Sequence, residues 1–178
     1  MEILIRSIVL ILAIMLFGHA EENVLINAHI RMIPKIMALN AQVSSDNTSK
    51  TSLLGIVYEG SHKSNAQAIA DKINQYYNGK VANLMFNAVA ISVDDLMKQH
   101  DIAFVYVTAT STSTVTRIGA WGISNTIPTF SYDTSALEHG ILGSIAIERT
   151  TVIYINKNVL KAGKFRFNDT LFQIARLI

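Results

Sequence analysis

The 178-residue chain contains no cysteine and only two prolines. Without thiols it can form neither disulfides nor thiolate metal sites, and cysteine nucleophiles are excluded. Other signatures are missing too. Beyond the N-terminal segment the histidines are His29, His62, His100 and His139. No two stand four apart and no H-E-x-x-H occurs, so no zinc site is expected. Neither G-x-G-x-x-G nor G-x-x-x-x-G-K-[ST] is present, so the common backbone cradles for nucleotide phosphates are absent. "YEGSHKS", residues 58–64, carries G-x-H where a nucleophile elbow needs G-x-S-x-G. Lys and Arg total 15 against 13 acids. They are scattered singly, which argues against a nucleic-acid footprint. No later run approaches the 18 unbroken apolar residues that read as a membrane span.

What is there begins with "MEILIRSIVLILAIMLFGHAEEN". One early cation, Arg6, precedes an apolar run from Ile8 to Phe17, and Gly18-His19-Ala20 places small residues before a cut between Ala20 and Glu21. That is the pattern of a secretory signal peptide, residues 1–20, and the run is short for a span of about 20 residues. An uncleaved anchor is the alternative. Residues 21–178 are then read as one exported domain.

The next segment sets apolar residues at Ile26, Ile30, Ile33 and Ile36/Met37, one face of an amphipathic helix that Pro34 should kink or restart. "AQVSSDNTSK" reads as a polar loop. After it, strand and helix patterns alternate. "SLLGIVYEG" reads as a strand, Ser61–Gly79 as a helix closed by Gly79, Val81–Ile91 as containing a strand, and "SVDDLMKQH" as a short helix capped by Ser92. "IAFVYV" is a strand apolar on both faces, "STVTRIGAWGISN" a helix or turn, and "IPTFSYD" a further strand. "SIAIE" and "TVIYIN" flank a tight turn at Arg149-Thr150, and two helices, "KNVLKAG" and "NDTLFQIARLI", close the chain. The expected fold is α/β: a single Rossmann-like sandwich, a mostly parallel central sheet, and a C-terminal hairpin and helix.

The residue cluster richest in polar chemistry is "TATSTSTVT", with hydroxyls at Thr108, Thr110, Ser111, Thr112, Ser113, Thr114 and Thr116. It follows the clearest strand, where open α/β sheets bind ligands. Ser and Thr also cap helices, and capping is the favoured reading; a small-ligand or anion loop at Thr108–Thr114 is the alternative. Ser61 and His62 read as surface or capping residues. Asp94 and Asp95 complement a helix dipole. Trp121, the single tryptophan, reads as packing against the sheet, with a partner contact as the alternative. No residue is assigned a catalytic role.

"GILGSIAIERTTVIYINKNVLKAGKFRFNDTLFQIARLI" resembles the closing region of the YfiR/HmsC-like family of bacterial periplasmic regulators. Gly140 and Gly143 match its first turn, Ile155-Asn156 its strand end and Ala162-Gly163 its helix stop. Phe165-Arg166-Phe167 match a hydrophobic–basic–hydrophobic triplet, Asn168-Asp169 stand where two serines are usual, and Leu171, Ile174 and Ala175 match the final helix. On chemistry alone, Gly163 suits a left-handed helix stop, Asn168 or Asp169 a cap, and Leu171, Phe172, Ile174 and Ala175 a buried face. The resemblance implies a cofactor-free, non-catalytic domain, often a homodimer. It would restrain a membrane diguanylate cyclase, or a sensor kinase, through the partner's periplasmic part, and an outer-membrane lipoprotein could sequester it. The alternative function is a periplasmic small-molecule-binding protein serving a transporter or sensor. A hydrolase using Ser61 or His62 has the least support.

Overall fold

The computed structural model describes residues 26–46, 51–108 and 110–178. The proposed signal segment and cleavage point, Ala20 and Glu21, lie outside them.

Eight strands form one sheet in the order β2-β3-β1-β4-β5-β6-β7-β8. They are β1 (Ser52–Tyr58), β2 (Lys80–Val81), β3 (Leu84–Ser92), β4 (Ile102–Val107), β5 (Thr129–Ser131), β6 (Gly143–Ile147), β7 (Thr151–Ile155) and β8 (Ala175–Leu177). The run from β3 through β1, β4 and β5 to β6 is parallel, as is β7 with β8; β2–β3 and β6–β7 are antiparallel. The expected α/β sandwich with a mostly parallel sheet is therefore present.

Burial on both faces explains the continuous apolar runs. One face of the sheet, with Leu54, Ile56, Phe86, Phe104, Tyr106 and Phe130, packs beneath α1 (residues 26–38) and α3 (Lys63–Tyr77). Helix α1 buries Ile30, Ile33, Ile36 and Met37, the stripe its spacing predicts. Helix α3 buries Ala66, Ala70 and Ile73 at spacings of four and three. On the opposite face Val57, Ile91, Val105 and Val107 meet α4 (Val93–Leu96), α5 (Thr112–Asn125) and a 3-10 turn at Thr134–His139. Phe104 and Phe130 stack at 5.1 Å between centroids. Gly143 lies under the Phe130 ring, where an added Cβ would stand 2.4 Å from a ring carbon.

Several local expectations change. The helix continues through Pro34, which is buried within α1. The polar loop instead contains a helix, α2 (Ala41–Asp46). Asn40 Oδ1 accepts from the Gln42 amide, and the Ala41 amide donates to the Arg166 carbonyl, so the C-terminal region holds this turn in place. Helix α3 is stopped by Asn78 in the left-handed region, with Gly79 following at φ 75°. Gly163, read as a left-handed stop after α6 (Lys157–Ala162), has φ −80°, and Lys164 takes the positive φ instead. Glycine is needed at 163 for closeness: a Cβ there would meet the Phe165 ring at 2.1 Å. Finally, α7 (Asp169–Ile174) ends one residue before Ala175, which opens β8 beside β7. Ile174 is exposed, so the buried anchor of α7 is Leu171, with Phe172 and Ala175 partly covered.

Candidate functional site at the carboxyl edge of the sheet

Strands β1 and β4 are parallel neighbours whose outgoing loops turn to opposite faces, β1 into α3 and β4 into α5. Diverging loops leave a crevice outside the strand ends, the usual ligand position in open α/β sheets. A cleft of about 400 Å³ lies there, lined by Glu59, Gly60, Ser61 and His62 from the first loop and Thr110 and Ser111 from the second.

Local chemistry fixes the second loop. Ser111 is extended, at φ −68° and ψ 152°, and its hydroxyl accepts from the Thr114 amide as the N-cap of α5. The first loop then supplies an anion. The Glu59 carboxylate accepts from the Ser111 amide at 2.8 Å, the Ser111 hydroxyl at 3.2 Å and the Thr114 hydroxyl at 2.6 Å. These donors, the Ser111 amide first, hold Glu59 below the ordinary carboxylate range. A negative charge at a helix N-terminus is favourable in its own right. Capping therefore accounts for Ser111 and Thr114, and an external anion would have to displace Glu59.

The other hydroxyls divide. Thr108 is buried and donates to the Val57 carbonyl at 2.7 Å, tying β4 to β1. Thr112 offers its carbonyl to the Thr116 hydroxyl, and Ser113 lies 3.2 Å from the Ser111 hydroxyl. Thr110 lines the cleft, and its Oγ1 is shut off from solvent with no hydrogen-bond partner among the described residues. Ser61 and His62 are exposed in a 3-10 turn on the cleft wall.

Remaining sites lie elsewhere. Asp95 reciprocates the Ser92 cap, and Asp94 pairs with Arg117 at 2.9 Å. Trp121 is partly buried against the α5-side core. Residues of the C-terminal motif organise the end of the sheet. Gly140 stops the 3-10 turn at φ 87°, and Asn156 caps α6 through its Oδ1 while its side-chain Nδ2 donates to the Leu137 carbonyl. Phe165 and Phe167 are buried, Arg166 is exposed between them, and Asn168 caps α7 ahead of Asp169.

Sequence reasoning passed over two residues. Glu59 is 52 residues from Ser111, and no local pattern marks their meeting. Buried His29 has Nδ1 2.5 Å from the Tyr106 hydroxyl across 77 residues. Burial lowers the His29 pKa from 6.5 to about 4 and raises that of Tyr106. The phenol is then the donor and the imidazole proton sits on Nε2, which faces the Ile145 carbonyl without closing a well-formed hydrogen bond. Among the described residues no group of three or more His, Asp or Glu side chains could hold a metal ion, and no helix is long and apolar enough to cross a membrane.

No family model matches the chain, and no curated protein matches it. Solved structures do. A conserved domain protein from Vibrio cholerae superposes with a TM-score of 0.59 at 11% identity, covering 83% of this chain and 59% of that one. The ligand-free, open structure of a substrate-binding protein with adhesive properties from Clostridium difficile superposes with a TM-score of 0.54 at 14% identity, covering 78% and 58%. The chain thus spans less than two thirds of the length of each. At these identities the likeness is one of fold: an α/β domain with a mostly parallel sheet that this chain shares with both.

Proposed function

We propose that the protein is an exported, non-catalytic small-molecule-binding protein that serves a transporter or sensor, with its ligand in the cleft between the β1 and β4 loops. The observation that carries this reading is the place of that cleft: two loops diverge there from adjacent parallel strands, and polar side chains converge on it. Support comes from the fold shared with a substrate-binding protein of Clostridium difficile, and from the signal-like N-terminal sequence for a periplasmic address. The test is a melting-temperature screen of a small-molecule library with the protein and its Ser61→Trp variant. Ser61 is exposed on the cleft wall, so an indole there should fill the cleft without disturbing the core. A stabilising compound whose effect Ser61→Trp abolishes supports the reading; stabilisation that survives the substitution refutes it.

The second reading is the YfiR-like regulator of a membrane signalling protein. It draws on the exposed apolar side chains of Leu177 on the edge strand β8 and of Ile174 and Ile178 on either side of that strand, where a partner could pair. Capture of a cyclase or kinase from membranes by the protein, lost on Leu177→Lys, would favour it.

A further inference from the structure

We propose that the cleft takes its ligand by a cationic group, an ammonium or guanidinium, seated against the carboxylate of Glu59. The proposal rests on the cleft being the ligand site and adds the chemical class that fits it.

The first element is what the loop has used up. In an empty anion cradle the first amides of α5 would point into the cleft unpaired. Here the Ser111 amide and the Ser111 and Thr114 hydroxyls all donate to Glu59. A phosphate or carboxylate would meet a fixed negative charge, and the Ser111 and Thr114 donors would already be taken. Nor do the lining residues include a Lys or Arg to offset the repulsion. Arg117, whose charge acts on Glu59, is bonded to Asp94 instead.

The second element is what remains open. Each carboxylate oxygen has about two acceptor directions. Oε1 receives both hydroxyls, whereas Oε2 receives the Ser111 amide alone. Oε2 therefore keeps an acceptor direction for a ligand donor. Thr110 adds an independent pointer: it lines the same cleft, and its Oγ1 is enclosed and unpartnered among the described residues. A buried hydroxyl without a partner is costly, and a ligand that draws it toward the cleft would recover a hydrogen bond. The cluster that looked like an anion loop is, with Glu59 in place, a cation seat.

Three probes with one carbon frame decide the matter: n-butylamine, butyrate and butyl phosphate, titrated into isotopically labelled protein near neutral pH and low salt. Saturable amide shifts at Gly60, Ser61, His62, Thr110 and Ser111 with the amine alone are expected. Glu59→Gln should weaken them about five-fold or more. Should that variant melt early, the wild-type protein answers the same question: at neutral pH the amine-induced shifts must weaken as salt is raised, while the shifts of a neutral butanol probe, if any, do not. Tighter saturation of the same amides by butyrate or butyl phosphate would overturn the cation seat and leave the cleft as a ligand site. If none of the three probes moves these amides, the cation seat falls, and the melting screen with Ser61→Trp decides separately whether the cleft binds anything.

Discussion

Lowering the pH from 7 to 4 should cost this protein stability through one side chain of α1. His29 is 1% exposed, and burial holds its pKa at about 4 against 6.5 for a free histidine. Its phenol partner Tyr106, itself buried, can donate to a neutral imidazole but cannot accept from a charged one without turning its own proton away. The folded-state pKa lies below the unfolded one, so between the two values the unfolded chain binds the extra proton and stability rises with pH. The contribution is fully present above about 6.5 and falls away as acid takes the medium down to about 4. At 1.36 kcal/mol per unit over that gap the loss is about 3 kcal/mol, a large part of a domain's usual 5–15. Urea denaturation at several pH values would measure it, with His29→Gln as the comparison. Glutamine can still accept from Tyr106 but does not titrate, so the variant should show a pH slope shallower by about 1.4 kcal/mol per unit in this window. An unchanged slope in His29→Gln, or a His29 titration midpoint near 6.5 by NMR, would refute the reasoning.

Other substitutions test the packing. Gly163→Ala drives a Cβ into the Phe165 ring, and should lower unfolding free energy by about 1–3 kcal/mol in chemical denaturation. Asn74 bonds both the amide and the carbonyl of Ala88 at 2.8 Å, covering the β3 edge beyond the short β2 strand. Asn74→Ala should cost about 1–3 kcal/mol and raise aggregation rates seen by light scattering. Asn156→Ala removes the α6 cap and the bond to Leu137, and a loss of about 1–2 kcal/mol is expected on the same denaturation assay.

Features whose causes are local could be read from sequence, and those made by distant partners could not. The buried strand "IAFVYV", the Ile26-to-Met37 stripe and the caps at Ser92, Ser111 and Asn168 follow from neighbours within a few residues, and the structure has them all. Helix α2 was hidden because "AQVSSD" is polar, and contacts to Arg166 more than 100 residues away hold it. "ARL" looked helical beside "LFQI", but pairing with β7 draws it into the sheet as β8. Gly163 is a case of the right residue with another cause, a ring that packs onto the backbone rather than a left-handed turn. At the candidate site the hydroxyl run was visible and its partner was not. Glu59 sits in a loop with ordinary turn chemistry, and only the parallel pairing of β1 with β4 carries it to the start of α5.

The central claim is that small-molecule binding happens where those two loops part. Amide mapping of the best stabilising compound on labelled protein tests it most directly. The account predicts saturable shifts concentrated at residues 59–62 and 110–114 and absent in Ser61→Trp. Shifts concentrated along the β8 edge, with the cleft amides silent, would contradict it.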